Sequence, residues 1–453
     1  MGTIENSAAG SLMSGLSGLM EFLKNSPTAF HAVENIRIRL ETEGFERLTE
    51  ADAWNITPGG KYYTVRGGSS IIAFRVGEKF AGGGFMIAAS HSDSPCFKLK
   101  PNCELNVKGQ YVQLNTEGYG GMICSSWMDR PLSVAGRLLV RKTGRGVTEF
   151  ESRLVDLGRD LVLIPNLAIH MNRRVNDSQS YNKQTDMLPL FSCGNTDSGE
   201  LLRMAAELAG AEPQDVLGSD LCLYNRTEPT VWGAGNEFIS SGRLDDLECA
   251  FCSLEGFLAG RNEKTIQVFC CFDNEEVGSH TKQGAVSTFL PDVLRRAASA
   301  LGADGEEFRR MAAGSFMLSC DNAHAVHPNH PEKTDTKNCV YMNGGVVIKY
   351  NSAQKYTTDG VSMAVFRELC GRAGVPVQYF ANRSDEPGGS TLGNLAMAQF
   401  SVNTVDIGLA QLAMHSAYET AGAEDPGYMT AACREFFSAR VFAARDGSIA
   451  LED

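Results

Sequence analysis

The feature that most restricts this chain is an alternation: strand-like apolar runs at Thr265–Phe272, Gly344–Ile348 and Val377–Phe380 are interleaved with helical patterns at Pro291–Leu301 and Gly360–Ala373. That rhythm implies helices packed on a mostly parallel sheet. The first hundred residues fit the same plan. Ser26-Pro27 sets a capping residue before a first-position proline, and Phe30, Val33, Ile36 and Leu40 recur at helical spacing until Gly44. After Pro58-Gly59-Gly60 come strand-like Lys61–Val65 and Ser70–Val76, and the glycine turn Gly82–Gly84 opens the apolar run Phe85–Ala89. From Pro95 to about Thr230 the texture changes to short β-like runs broken by Gly, Asn and Pro, among them Tyr111–Leu114, Val134–Val140 and Leu161–Ile164. The expected fold is therefore α/β. Residues 1–94 and 232–453 form one discontinuous domain around a mixed central sheet flanked by helices, and residues 95–231 form an inserted β-rich domain.

Composition narrows the partners. With 41 Lys plus Arg against 54 Asp plus Glu, the net charge of −13 repels polyphosphate and anionic headgroups, which argues against nucleic acid and membrane surfaces. No apolar run is long enough to span a bilayer, and Glu5 stands where a secretory signal would carry basic residues, so a cytoplasmic location is expected. The 13 cysteines are an odd number scattered through apolar segments, Cys270 and Cys271 side by side, which reads as reduced buried thiols. Cys249 and Cys252 form a C-x-x-C, but inside the helical pattern Leu244–Leu258 they read as a core-facing pair.

Open α/β sheets bind ligands at the carboxyl ends of their strands, so ionisable residues directly after apolar runs are the candidates for chemistry. Phe85–Ala89 leads into His91 and Asp93, Thr265–Phe272 into Asp273-Asn274-Glu275-Glu276, Phe316–Cys320 into Asp321, and Val402–Gly408 toward Gln411–His415. Leu244-Asp245-Asp246 sits at a helix start. His91, Asp245, Glu276, Asp321 and His415 are imidazoles and carboxylates without a thiolate, a donor set suited to zinc, manganese or cobalt. They are too many for one tetrahedral ion and suit two divalent ions sharing a carboxylate, with Asp245 as the bridge. Asp93, two residues beyond His91 in an extended segment, can reach the second ring nitrogen and fix the tautomer. Of adjacent Glu275 and Glu276, one can ligate while the other takes a proton from water. Taken alone, Asp273–Glu276 reads equally well as an acidic first helical turn. His324, His327 and His330 resemble a metal tract, but Pro328 interrupts any helix that would align them, so they read as loop or supporting residues.

Taken together, these motifs resemble the aspartyl aminopeptidase family of two-zinc peptidases. The resemblance runs from Ser26–Val33 through His91-Ser92-Asp93-Ser94-Pro95, Ile164–His170, Arg243-Leu244-Asp245, Asp273–Gly278 and Ala323–Asn329 to Gln411–Ser416. It implies a zinc exopeptidase-like catalytic domain with His91 and Asp321 on one zinc, Glu276 and His415 on the other, and Asp245 between them. Glu275 would be the general base and Asp93 the orienter of His91. It also implies that the insert is a dimerisation domain, that dimers assemble into a tetrahedral dodecamer, and that His170 enters the partner subunit's substrate pocket. One departure bears on specificity. Acid-selective relatives tend to carry a basic residue within Asn351–Tyr356, where this chain has Ala353 between Ser352 and Gln354. Lys355 or His170 could substitute as the partner of a substrate carboxylate.

The expected reaction is removal of one N-terminal residue, Asp or Glu by family membership, from a peptide with a free amine. Water activated by the two ions would attack, with Glu275 as base. The alternatives are a broad or neutral-residue aminopeptidase, a related two-metal carboxypeptidase or deacylase, and a non-catalytic shell or cargo-binding protein. The last is disfavoured by the complete set of ligands and base.

Overall fold

Strands Phe85–His91, Ile266–Phe272 and Phe316–Cys320 are buried along their whole length, and a strand with no wet face belongs inside a sheet covered on both sides. The computed structural model, which describes residues 15–144, 146–194, 199–444 and 448–452, places them at the centre of a nine-stranded sheet. Its order is Glu46–Arg47, Lys61–Arg66, Ser70–Val76, Ile266–Phe272, Phe85–His91, Phe316–Cys320, Asn403–Gly408, Val346–Tyr350, Val377–Ala381. The strands from Ile266–Phe272 to Asn403–Gly408 run parallel. Antiparallel pairing with Ser70–Val76 on one side and Val346–Tyr350 on the other makes the sheet mixed. Phe272 lies opposite His91, and Cys320 opposite Ile407, so neighbouring carboxyl ends are level in pairs.

Successive residues face opposite ways, and each side has its own core. Met86 and Ala88 pack with helices Ala29–Thr42, Leu244–Ala259, Gly360–Ala373 and Asp425–Ser438, while Phe85, Ile87 and Ala89 pack with Phe289–Ala300 and Leu392–Gln399. Phe257, near the end of the helix that carries Asp245, is fully buried with its ring centroid 5.5, 6.1 and 5.3 Å from those of Phe45, Phe269 and Phe437. Phe257→Ala should therefore destabilise the fold by about 3–5 kcal/mol, read as a lowered denaturation midpoint.

Helix Ala29–Thr42 begins later than its sequence suggested. Thr28, with extended φ and ψ, is the cap and accepts from the His31 amide, whereas Ser26 is buried and accepts from Asn35 Nδ2 at 3.0 Å. The reading of the segment around Glu5 falls outside the described residues.

Residues 96–225 contribute every strand of a six-stranded antiparallel sheet. Its order is Val147–Asp156, Leu132–Gly144, Val216–Asn225, Cys96–Val107, Tyr111–Tyr119, Leu190–Cys193, and helix Glu200–Leu208 shares its core through Leu201 and Ala205. Leu161–Ile164 is not a strand but joins through the isolated bridges Met128↔Ile164, Leu132↔Val162 and Leu163↔Leu190. A five-stranded sheet of short segments, Thr230–Trp232, Phe238–Ser241, Glu419–Gly422, Ala410–Leu412 and Ala323–His324, has no clear signature in the sequence. All 13 cysteines are free, and Cys249, Cys252, Cys270, Cys271, Cys320, Cys370 and Cys433 are buried as expected, whereas Cys193 is exposed and the other five are half-buried. Among the described residues no helix is long and apolar enough to cross a membrane.

Candidate metal centre

At the carboxyl ends of the parallel strands the chain gathers imidazoles and carboxylates. His91 is the last residue of its strand, and its Nδ1 lies 3.0 Å from the Asp93 carbonyl oxygen and 3.4 Å from Asp93 Oδ1. The expected carboxylate contact is thus the longer of the two, because the Asp93 carboxylate is occupied elsewhere. It accepts the backbone N–H groups of Glu275 and Glu276, each at 3.1 Å, and the Tyr119 hydroxyl at 2.6 Å. Either contact on Nδ1 leaves His91 Nε2 facing Asp245 Oδ1 at 3.6 Å.

Asp245 is turned inward by an irregular helix start. Arg243 has φ of 63°, Asp245 and Asp246 depart from helical φ and ψ, and the peptide joining them is cis. Its other oxygen, Oδ2, lies 3.4 Å from His415 Nε2, which in turn is 3.3 Å from Glu276 Oε2. Asp245 therefore stands between the two imidazoles. His415 is set by the Gly121 carbonyl at 2.9 Å from its Nδ1 and by Glu419, which accepts its amide at 2.7 Å and that of Asp245 at 3.1 Å.

These donors fit a divalent cation. Buried carboxylate oxygens without a partner are costly, yet Asp245 Oδ1, Asp246 Oδ1, Glu248 Oε1 and Glu276 Oε1 have no hydrogen-bond donor. The atoms available for ligation fall into overlapping groups, each within 4.8 Å: His91 with Asp245 and Asp246, His91 with Glu275 and Glu276, and Asp245 with Glu276 and His415. An ion holding N and O donors tetrahedrally at about 2.1 Å separates them by about 3.4 Å, which matches the 3.3–3.6 Å between these side chains.

Electrostatics point the same way. Burial works to lower the pKa of His91, but Asp246, Asp245 and Asp93 outweigh it and hold the imidazole well above its ordinary value. His415 is likewise pushed up to about 10, with Asp245 and Glu276 overcoming burial. Burial raises Glu275 to about 8, reinforced by Asp321, Asp93 and Asp245. For Glu276, burial and then the Asp245 charge push the carboxyl well up. On Asp245 the two imidazoles prevail over burial and hold the carboxyl well below its usual range.

Asp321 is buried close by, but none of the three groups includes it. Its Oδ1 instead accepts from the fully buried Lys349 Nζ at 3.1 Å, and the same ammonium donates to the Asn322 carbonyl at 3.2 Å. The Asp321 backbone passes so close to Gly408 that a Cβ there would sit 1.9 Å from its carbonyl oxygen. Lys355 is turned away from this role, its Nζ donating to the carbonyls of Pro387 at 3.0 Å and Gly388 at 3.3 Å. Ala353 shares a separate surface cleft with Lys355, lined also by Asn338 and Arg383. His170 is exposed, on a turn where the Met171 amide bonds the Ala168 carbonyl at 2.8 Å, and is not among the clustered side chains.

Sequence reasoning missed Tyr119, Asp246, Lys349 and Glu419. The three histidines treated as one loop tract divide. His324 lies on a short strand paired with Ala410–Leu412 and feels the Asp245 charge, whereas the His327 and His330 rings lie tilted against each other at 5.2 Å, and all three are exposed. For Lys349, burial is outweighed by Asp321 and Asp406, so the ammonium stays charged. Burial and the charges of Asp93 and Asp273 keep the Tyr119 phenol protonated.

The Aminopeptidase I zinc metalloprotease (M18) family matches residues 22–437. A probable M18 family aminopeptidase 2 of Clostridium novyi (strain NT) is 45% identical over 424 residues, covering 93% of this chain and 98% of its own. Among solved structures, a chain of the Ape4 and Nbr1 complex superposes with a TM-score of 0.91 at 35% identity, covering 97% of this chain and 87% of that one. The S. cerevisiae mApe1 dodecamer superposes at 0.81 with 29% identity, covering 93% and 96%. The mixed α/β fold is shared with these M18 structures. This chain belongs to the M18 family of zinc metalloproteases and is a metallo-aminopeptidase.

Proposed function

We propose that the enzyme removes an N-terminal Asp or Glu from peptides at a centre of two divalent ions, with zinc the leading choice and manganese or cobalt alternatives. The observation that carries this reading is Asp245 between the His91 and His415 imidazoles, with Glu275 and Glu276 adjacent. His91, Asp245, Glu276 and His415 would hold the ions, with Asp321 completing the set. When bound, the ions supply Lewis acidity that activates water and polarises the scissile carbonyl. Glu275 takes the proton of the attacking water and delivers it to the departing amine. Asp93 holds the amides of Glu275 and Glu276, which keeps the base beside the ligands.

The acidic preference must be met by a cation or several donors, since a buried substrate carboxylate is otherwise unstable. With Lys355 engaged by two carbonyls, Lys349, paired with Asp321, and His324, which feels the Asp245 charge, are the candidates for the task. Because Lys349 is already paired with Asp321, a broader preference that includes neutral residues is the second reading.

We assign dimerisation to the six-stranded sheet and its connections, supported by exposed Leu167, Ile169 and Met171 flanking His170. On this reading His170 enters the partner's pocket, and dimers build a dodecamer like that of mApe1. The free state of all 13 thiols supports a reducing, cytoplasmic location.

A peptide panel with Asp, Glu, Ala or Leu at the N-terminus, free or acetylated, tests the activity. Free acidic peptides should be cleaved fastest and acetylated ones left intact. A strong chelator should abolish turnover, and zinc, manganese or cobalt should restore it. Equal hydrolysis of acetylated peptides would rule the aminopeptidase reading out in favour of a deacylase.

A further inference from the structure

The inserted sheet does more than cover the cluster, because one of its strand ends touches several of the cluster's key residues. Cys96, three residues past Asp93, pairs opposite Tyr119, so the register returns strand Tyr111–Tyr119 to the chain leaving His91. Lys98 Nζ lies 3.8 Å above the Tyr119 ring, and the phenol is almost fully buried. Its hydroxyl donates to Asp93 Oδ2 at 2.6 Å and accepts from Asn274 Nδ2 at 2.8 Å. Asn274 is itself fixed through Oδ1 by Thr281 Oγ1 at 2.8 Å and Gln283 Nε2 at 3.0 Å. The chain of bonds thus runs from the turn after Glu276, through Tyr119, to Asp93 and back to the amides of Glu275 and Glu276. The next two residues continue the contact. Gly120 (φ 73°) passes close to the cluster, since a Cβ there would lie 3.1 Å from Glu276 Cβ, and Gly121 accepts at its carbonyl from His415 Nδ1. The Ile123 amide then bonds the His415 carbonyl at 3.0 Å.

We infer that Tyr119-Gly120-Gly121 is a positioning clasp, by which the inserted sheet sets the orientation of Glu276 and His415 toward the metals, with the Tyr119 hydroxyl as its key bond. This rests on the metal reading of the cluster. Groups that orient ligands through hydrogen bonds typically cost 10- to 100-fold in metal affinity when lost. Tyr119→Phe removes the hydroxyl and keeps the ring.

The test uses full-length protein, stripped and reloaded, with zinc affinity measured by competition against a chromophoric chelator and the visible spectrum recorded at saturating cobalt. Tyr119→Phe should keep the folded circular dichroism spectrum and oligomeric state, bind zinc about 10- to 100-fold more weakly and show an altered cobalt spectrum. Arg137→Met is the control. It cuts another tie between the inserted sheet and the catalytic body, Arg137 Nη1 to the Gly67 carbonyl at 2.6 Å, and should leave zinc affinity unchanged. Wild-type affinity and spectrum in Tyr119→Phe, or an equal loss in Arg137→Met, overturns the clasp. If Tyr119→Phe does not fold, Gly120→Ala carries the test, and wild-type zinc affinity in that variant overturns the clasp. Failure of the wild-type protein to bind a divalent ion would instead remove the metal reading itself.

Discussion

Glu275→Gln should lose turnover by about 10²- to 10⁴-fold while its zinc content stays at the wild-type level. The substitution keeps the size of the side chain and removes only its capacity to accept a proton. Burial raises the proton affinity of the Glu275 carboxyl, the direction a general base needs. Its backbone amide rather than its carboxylate makes the bond to Asp93, so the turn survives the change. Steady-state kinetics with metal analysis on the same preparation checks both halves. Near-wild-type kcat would remove Glu275 from the role of base.

Asp245→Ala should be the more drastic variant, because its two oxygens face different imidazoles, Oδ1 toward His91 and Oδ2 toward His415. Losing a carboxylate that serves one ion would leave the other in place. Losing this one should empty both sites. After dialysis the expected zinc content is close to none, with activity below detection, and added zinc should not restore it. Retention of one ion per subunit would show that Asp245 serves only one side.

Much of the architecture was legible because a strand buried on both faces is an unbroken apolar word. Phe316–Cys320 was read to the residue, as was helix Gly360–Ala373, whose cap Asp359 and following Gly374 are local signals. The same logic pointed to His91 at the end of one such word, to Asp321 directly after another and to Glu275 and Glu276 in the turn beyond Phe272, of which all but Asp321 fall within the clustered side chains. What escaped depends on pairings that no local window contains. Lys349 sits in a strand otherwise buried and apolar over Val346–Ile348, and its partner Asp321 is 28 residues away. Tyr119 ends a strand of the insert, and only the Cys96↔Tyr119 register brings it to Asp93. The short five-stranded sheet that carries His324 and Gln411 has strands of two to four residues, too brief for a period to show. At Ser26-Pro27 the proline drew the cap to Ser26, whereas Thr28 takes that place in the structure.

The free thiols behind the site have a further consequence. Cys320 immediately precedes Asp321 and Cys249 lies four residues past Asp245, yet both are sealed in the core, Cys249 with its sulfur bonded to Asn322 Oδ1 at 3.0 Å. Soft ions such as copper(I) bind sulfur in preference to oxygen, and the folded enzyme keeps these two sulfurs out of their reach. Thiophilic poisons can therefore reach these two sulfurs only in the interval between synthesis and folding, whereas Cys193 stays open to them in the folded enzyme.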